Sequence, residues 1–329
     1  MDSMSRRDWL LAAGGAGLMA AACSSKEPTK PKSDDHRIVD AHVHIWTSDH
    51  KRFPLADGFT PEDLWVPSFS AERLLEEAHR SGVGKINLIQ MTWYGLDHSY
   101  ILDVIANDPE HFVGTGIIPA VTDVSLASPD RTMVSLSKQG VYAFRVRGGS
   151  TRPPLGGGPQ WMDHPGFDKM FKAGADHNLA LSFLMGPRDL PEVDRMCGRY
   201  PETPIILDHF AGVYEGSPED EITALLRMAD HKRVMLKVGA FYSRGRVPPY
   251  TSLLPLIKRV VAAFGPERCM WESDAPFPPD RPARHPLPDP PHGIEPAVAL
   301  IRDHADFLSP ADKEQILIKT ADDFFFKRS

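Results

Sequence analysis

Apolar residues along this chain gather into eight short runs, rich in β-branched and aliphatic side chains and bounded by Gly, Pro, Asn, Asp or Ser. Runs of that length and composition predict strands. They cover Ile38–Ile45, Lys85–Met91, Phe112–Pro119, Val141–Arg147, Ala180–Met185, Pro204–Phe210, Arg233–Phe241 and Cys269–Phe277. Between them the apolar positions take a helical period over stretches that include Ala71–Arg80, Tyr100–Asn107, Phe167–His177, Glu219–Ala229 and Leu253–Phe264. Near-continuous apolar strands are those buried on both faces. Alternating with helices, they predict a single α/β domain, a parallel (β/α)8 TIM-type barrel. Pro310–Lys327 predicts an extra C-terminal helix that packs Phe324, Phe325 and Phe326 onto the barrel. The alternative is a doubly wound open sheet, but no Gly-X-Gly-X-X-Gly follows any of these strands.

The pattern before Ile38 is of another kind. Ser5-Arg6-Arg7-Asp8-Trp9-Leu10, followed by the small-residue apolar run Leu11–Ala22, has the form of a twin-arginine export signal. The run is short for a membrane span. Ala20-Ala21-Ala22-Cys23-Ser24 suits cleavage after Ala-X-Ala, and also resembles a lipoprotein box with Ala20 where Leu is usual. Residues 24–36, rich in Pro, Lys, Ser and Asp, predict a flexible tether. The expectation is a signal over 1–23, a tether over 24–36 and the barrel over 37–329. Such a protein is exported to the periplasm or cell envelope, with a lipid at Cys23 as its one link to the membrane.

Composition narrows the classes. A hydrophobic fraction of 42% with 25% charged residues suits a globular protein, and a net charge of −7 without any dense Lys/Arg tract argues against a nucleic-acid surface. Cys197 and Cys269 lack Cys-X-X-Cys or finger spacing and predict buried inert thiols, with a mutual disulfide as the alternative.

Candidate chemistry collects at strand ends. Alternation along Ile38–Trp46 puts Asp40, His42, His44 and Trp46 on one face. Two imidazoles so placed either bind one divalent cation or are hydrogen-bonded core histidines. The other strands end in or carry Gln90, Trp93 and Tyr94; Arg145 and Arg147; Asp208 and His209; Lys237 and Tyr242; Glu272 and Asp274. Singly, each has a structural explanation: an ion pair, a snorkelling amine, a turn residue. Together, polar ends on strands one, four, six, seven and eight face one barrel mouth, where the chemistry of this fold sits.

Asp40-Ala41-His42-Val43-His44-Ile45-Trp46, Leu207-Asp208-His209 and Ser273-Asp274-Ala275-Pro276-Phe277 resemble the amidohydrolase superfamily, with Gln90, the Arg145 strand and Ala321–Phe326 also fitting. The closer likeness is to the amidohydrolase-related group of 2-pyrone-4,6-dicarboxylate lactonase, sugar-acid lactonases and, more distantly, nonoxidative decarboxylases. The resemblance implies that His42, His44, His209 and Asp274 meet at the mouth. In metal-dependent relatives the positions of His42, His44 and Asp274 hold a divalent, zinc-like metal; the lactonase branch also works without one. Three departures stand out. Strand five, Ala180–Met185, lacks the histidine that decarboxylases place there, and His177 precedes that strand at the other end of the barrel. Glu272 replaces a small residue, either raising the pKa of Asp274 by like-charge repulsion or adding a ligand. Thr320-Ala321 replaces Asn-Ala, which bears on packing.

The expected activity is hydrolysis of a lactone or similar ester, with a small acidic or sugar-derived substrate. Asp274 is the expected base for water, and His42, His44 and His209 polarise the carbonyl directly or through a metal. Arg145 and Arg147 are expected to grip a substrate carboxylate, with Gln90, Trp46, Tyr242 and Lys237 completing the binding site and Trp93 and Tyr94 walling it. The rival readings are a metal-dependent decarboxylase of an aromatic or enolic acid, an amide hydrolase, and a non-catalytic exported binding protein for acidic sugars. Gly148–His164 is expected to be a lid or a surface insertion, and Pro278–Pro291 a stiff border to the mouth.

Overall fold

Each predicted run forms a strand: β1 Ile38–Val43, β2 Val83–Ile89, β3 Phe112–Ile117, β4 Val141–Arg147, β5 Ala180–Leu184, β6 Ile205–Leu207, β7 Val234–Val238 and β8 Cys269–Trp271. All come from a computed structural model that describes residues 36–118, 128–148, 160–244, 248–276 and 294–328. The signal segment, nearly all of the tether, Pro119, residues 149–159 of the proposed lid, Phe277 and the 278–291 border lie outside the described residues.

The strands pair in parallel in the order β1 to β8. The ring is joined at its upper end, where Val43 bridges Ala275, Asp274 N donates to His42 O (3.0 Å) and His44 N to Ala275 O (2.9 Å). This is the architecture of a TIM-type barrel. Helices cover the outside, including Pro129–Ser137 and Leu190–Arg199 beyond those named from the sequence. Local chemistry sets their ends. Ser70 caps the Ala71–Arg80 helix by accepting from Arg73 N, and Pro165 opens the Pro165–His177 helix, which Asn178 ends in a left-handed conformation (φ 51°).

Three strands stop at least three residues earlier than their apolar runs predict. After β6 the backbone turns left-handed at His209, Phe210 and Ala211 (φ 53°, 55° and 52°); Ala240 (φ 51°) does the same after β7, and Asp274 (φ 59°) after β8. Left-handed backbone costs non-glycine residues free energy and concentrates at functional sites. Here it lifts polar side chains out of the ladder and over the mouth.

The alternation expected along β1 also breaks. Asp40 pairs with Ile86 but Val43 with Leu88, so three steps on β1 match two on β2. This is a bulge. Its displaced groups are satisfied from the side: Ala41 O accepts from Asn87 Nδ2 (2.9 Å), and Asp40 Oδ1 accepts from His42 N (3.1 Å) and Ser273 N (3.0 Å). Asp40 therefore leaves the face of His42 and stitches β1 to the end of β8.

The barrel interior has two layers. The lower one is apolar and small: Val39, Ala41, Val113, Ala143, Ala180, Ile206 and Met270, closed from below by Ala321 and Phe325. Those two belong to a C-terminal run of helical turns, Pro310–Glu314, a wider π turn over Gln315–Lys319, and Thr320–Phe325. Thr320 Oγ1 donates to Pro266 O (3.0 Å), a packing role. Cys197 and Cys269 are free and buried, and burial pushes both thiols up to about 12.

Candidate active site

The upper layer is built from the ends of six strands. His42 and His44 come from β1 and its extension, Arg145 from β4, Ser182 from β5, Asp208 and His209 from the end of β6, Lys237 from β7, and Glu272 and Asp274 from the end of β8. All but Arg145 are buried, and its side chain is only 7% exposed.

Asp208 anchors the lower part. Its Oδ1 is 3.0 Å from Lys237 Nζ and accepts from Ser182 Oγ (2.8 Å), and its Oδ2 is 3.6 Å from Arg145 Nη2. Burial works against its ionisation, but Lys237, His42 and Arg145 together outweigh it and hold the carboxyl well below the usual range.

His42 is the hub. Arg145 Nη2 donates to its Nε2 at 2.7 Å, and its Nδ1 lies 3.2 Å from Glu272 Oε2. Lys237 Nζ also lies 3.1 Å from Nδ1. Burial, then the Lys237 charge, lowers the pKa of this imidazole. His44 donates from Nδ1 to Ile89 O (3.2 Å), and burial lowers its pKa to about 3. Both β1 histidines are thus neutral and turn an acceptor nitrogen toward Asp274, whose Oδ1 is 3.6 Å from His42 Nε2 and 3.4 Å from His44 Nε2.

His209 differs. Its Nδ1 is 2.6 Å from Glu272 Oε1, and its Nε2 is 3.8 Å from Asp274 Oδ2. Burial alone would lower its pKa, but the Glu272 and Asp274 carboxylates raise it. Asp274 itself is held well below the ordinary carboxylate range: burial opposes ionisation, and the surrounding histidines, His209 foremost, together overcome it. This corrects the first of the two roles expected of Glu272, raising Asp274, because the imidazoles around Asp274 together outweigh burial. Glu272 is likewise held down, to about 2, with His209 and His42 together overcoming the cost of burial. Tyr242 Oη donates to Asp274 Oδ2 (2.7 Å), while Asp274 Oδ1 is buried without a hydrogen-bond partner among the described residues.

The other expected binding residues lie elsewhere. The Gln90 amide donates to the carbonyls of Gly95 (3.2 Å) and Asp97 (2.7 Å), pinning the loop after β2. Trp46 is fully buried, donates to Val66 O (2.7 Å) and packs on Trp65, Phe69 and Trp93. Tyr94 Oη accepts from Thr47 N (3.0 Å). Of the four aromatic residues expected to line or wall the binding site, Tyr242 is the one bonded to the polar cluster among the described residues. Arg147, half-buried, lies one step further up β4 than Arg145 on the same face. Residues missed as partners are Ser182 and Asp40; the signal for Ser182 was its place on β5 where a ligand histidine was sought.

Among the described residues, two groups have donor atoms spaced for a metal ion: His42, His44 and Asp274, and His42, His209 and Glu272. Both need His42. A cation on its Nε2 would meet the Arg145 guanidinium, and one on its Nδ1 the Lys237 ammonium. Lys237 and Arg145, with His209 raised in pKa beside two acids, already face Asp208, Glu272 and Asp274. As these side chains stand, they do not fit a metal held through His42.

The amidohydrolase family model matches residues 39–327, essentially the whole barrel. The chain belongs to the amidohydrolase family. It is similar to the L-fucono-1,5-lactonase of Burkholderia ambifaria, with 29% identity over 247 residues, which is 72% of this chain and 80% of that protein. Among solved structures it resembles a probable 2-pyrone-4,6-dicarboxylic acid hydrolase from Acinetobacter baumannii with citric acid bound (TM-score 0.67, 16% identity, 88% of this chain and 99% of that one). An amidohydrolase from Burkholderia multivorans with bound zinc is similar too (TM-score 0.66, 16% identity, the same coverage of each chain). These two likenesses speak for the fold. Family membership together with the curated relative makes the chain an amidohydrolase-family hydrolase.

Proposed function

We propose that this enzyme hydrolyses a lactone carrying a carboxylate or derived from a sugar acid, in an exported protein. The observation that carries the reading is Asp274: ionised, fixed at one oxygen by Tyr242, and buried at the other without a hydrogen-bond donor among the described residues. Ester hydrolysis needs an acceptor for a water proton, a counter-charge for the oxyanion and a proton for the leaving oxygen. A water donating to Asp274 Oδ1 meets the first need. Arg145 meets the second, since its Nε is buried and unpartnered among the described residues while Nη2 is held by His42. Arg147, above it, is the group for the substrate carboxylate. The activities of the similar proteins, a fuconolactonase and a probable pyrone dicarboxylic acid hydrolase, support the lactone class.

The test is a pH-stat assay of the mature protein on aldonolactones and carboxylated pyrones, with Asp274→Asn beside it. Turnover of at least one lactone that vanishes in the variant is expected. A protein inert on the whole panel, or an Asp274→Asn variant of normal rate, would sink the reading.

A further inference from the structure

The mechanism above leaves one step without a donor and one buried acid without a task. An aliphatic alkoxide leaves poorly unless it is protonated as it departs. Glu272 is fully buried at the end of β8, with Oε1 2.6 Å from His209 Nδ1. The surrounding chain is shaped for this pair. A Cβ on Gly239, which follows β7, would stand 2.1 Å from both Glu272 O and Glu272 Cγ, so the glycine lets the two strand ends approach and leaves room for this side chain. From the opposite side, the left-handed turn at His209–Ala211 brings the imidazole over the carboxylate. The carboxylate can only accept, so it fixes the ring with its proton on Nδ1 and leaves Nε2 to face Asp274 Oδ2 at 3.8 Å. His42 and His44 turn acceptor nitrogens to the mouth, which leaves His209 as the histidine of the three able to carry a proton there.

We propose that Glu272 is a positioning residue that makes His209 the proton carrier to the leaving oxygen. Resting on the lactonase reading, the cycle balances as follows. Water forms the new C–O bond and gives its proton to Asp274. The tetrahedral adduct collapses, the ring C–O bond breaks, and its electron pair goes to the departing oxygen, which takes the proton from His209 Nε2. Asp274 returns its proton to Nε2, and Glu272 stays ionised throughout. The net change is one water added across one ester bond.

Leaving-group chemistry separates this role from a structural one. A phenolate departs without help, a sugar alkoxide does not. The experiment compares wild type and Glu272→Gln on the best aldonolactone of the panel and on dihydrocoumarin. The expected result is a kcat loss of about 100-fold or more on the aldonolactone with little change in KM, and less than about 3-fold on dihydrocoumarin. Glu272→Asp, which keeps the charge on a shorter arm, is expected to show the same split in smaller measure, and it serves if the Gln variant does not fold. Equal losses on both substrates, or no loss on the aldonolactone, overturn the assignment while leaving the lactonase reading in place. A wild type inert on both overturns that reading and this inference with it.

Discussion

The two layers inside the barrel put five shared strands, β1, β4, β5, β6 and β8, to opposite ends. Below, Val39, Ala143, Ala180 and Ile206 meet Phe325 in a small apolar plug. Above, within a few residues along the same strands, three carboxylates face Lys237, Arg145 and His209. The lower layer gains from leaving water; the upper loses by it and recovers only through pairing. The lesson is a division of labour along the barrel axis: change below should cost stability, change above should cost chemistry.

The largest expected effect tests the upper half. Asp274→Asn should lower kcat by ~10³-fold, the scale of a lost general base, and leave the melting temperature nearly unchanged. A variant that loses both would show that the mouth also holds the barrel together. Next comes the converse below: Phe325→Ala should cost about 3–5 kcal/mol in denaturant unfolding while kcat at low temperature stays within a factor of two or so of wild type.

Asp40, between the layers, sharpens the comparison through pH. Burial raises its carboxyl from 3.8 to about 7. Between those values the folded chain holds a proton the unfolded chain has released, so stability from this group falls as pH rises through the window. Asp40→Asn, which keeps an acceptor for the His42 and Ser273 amides, should melt about 2–4 °C less pH-dependently than wild type between pH 5 and 7.5. An unchanged slope would mean Asp40 is ionised in the fold. The smallest effect is expected at the rim of the plug. Lys85, 38% exposed, pairs with Asp322 at 2.6 Å, and Lys85→Met should cost about 1 kcal/mol or less by the same unfolding measurement.

The layering explains what could be read in advance. All eight strands and the closing helix were legible because burial on both faces writes continuous apolar runs, and His42, His44, His209 and Asp274 were legible as polar breaks at strand ends. Strand ends were overshot at β6, β7 and β8 because left-handed turns at His209, Ala240 and Asp274 are made by residues that carry no glycine signal. The β1 bulge was hidden for the same kind of reason: it is stabilised by Asn87 and Ser273, far away in sequence. Arg145 and Gln90 have partners of long or unforeseen range, His42 and a loop carbonyl, which composition and period do not encode.

The bond from Ser273 N to the Asp40 carboxylate joins residues 233 positions apart. Among parallel strands, contacts of such separation are slow to form, since chain entropy must be lost before they repay it. The same junction brings Asp274 beside His42 and His44. The mouth is thus complete only when the two ends of the barrel meet, and in a refolding experiment enzymatic activity should return no sooner than that junction closes.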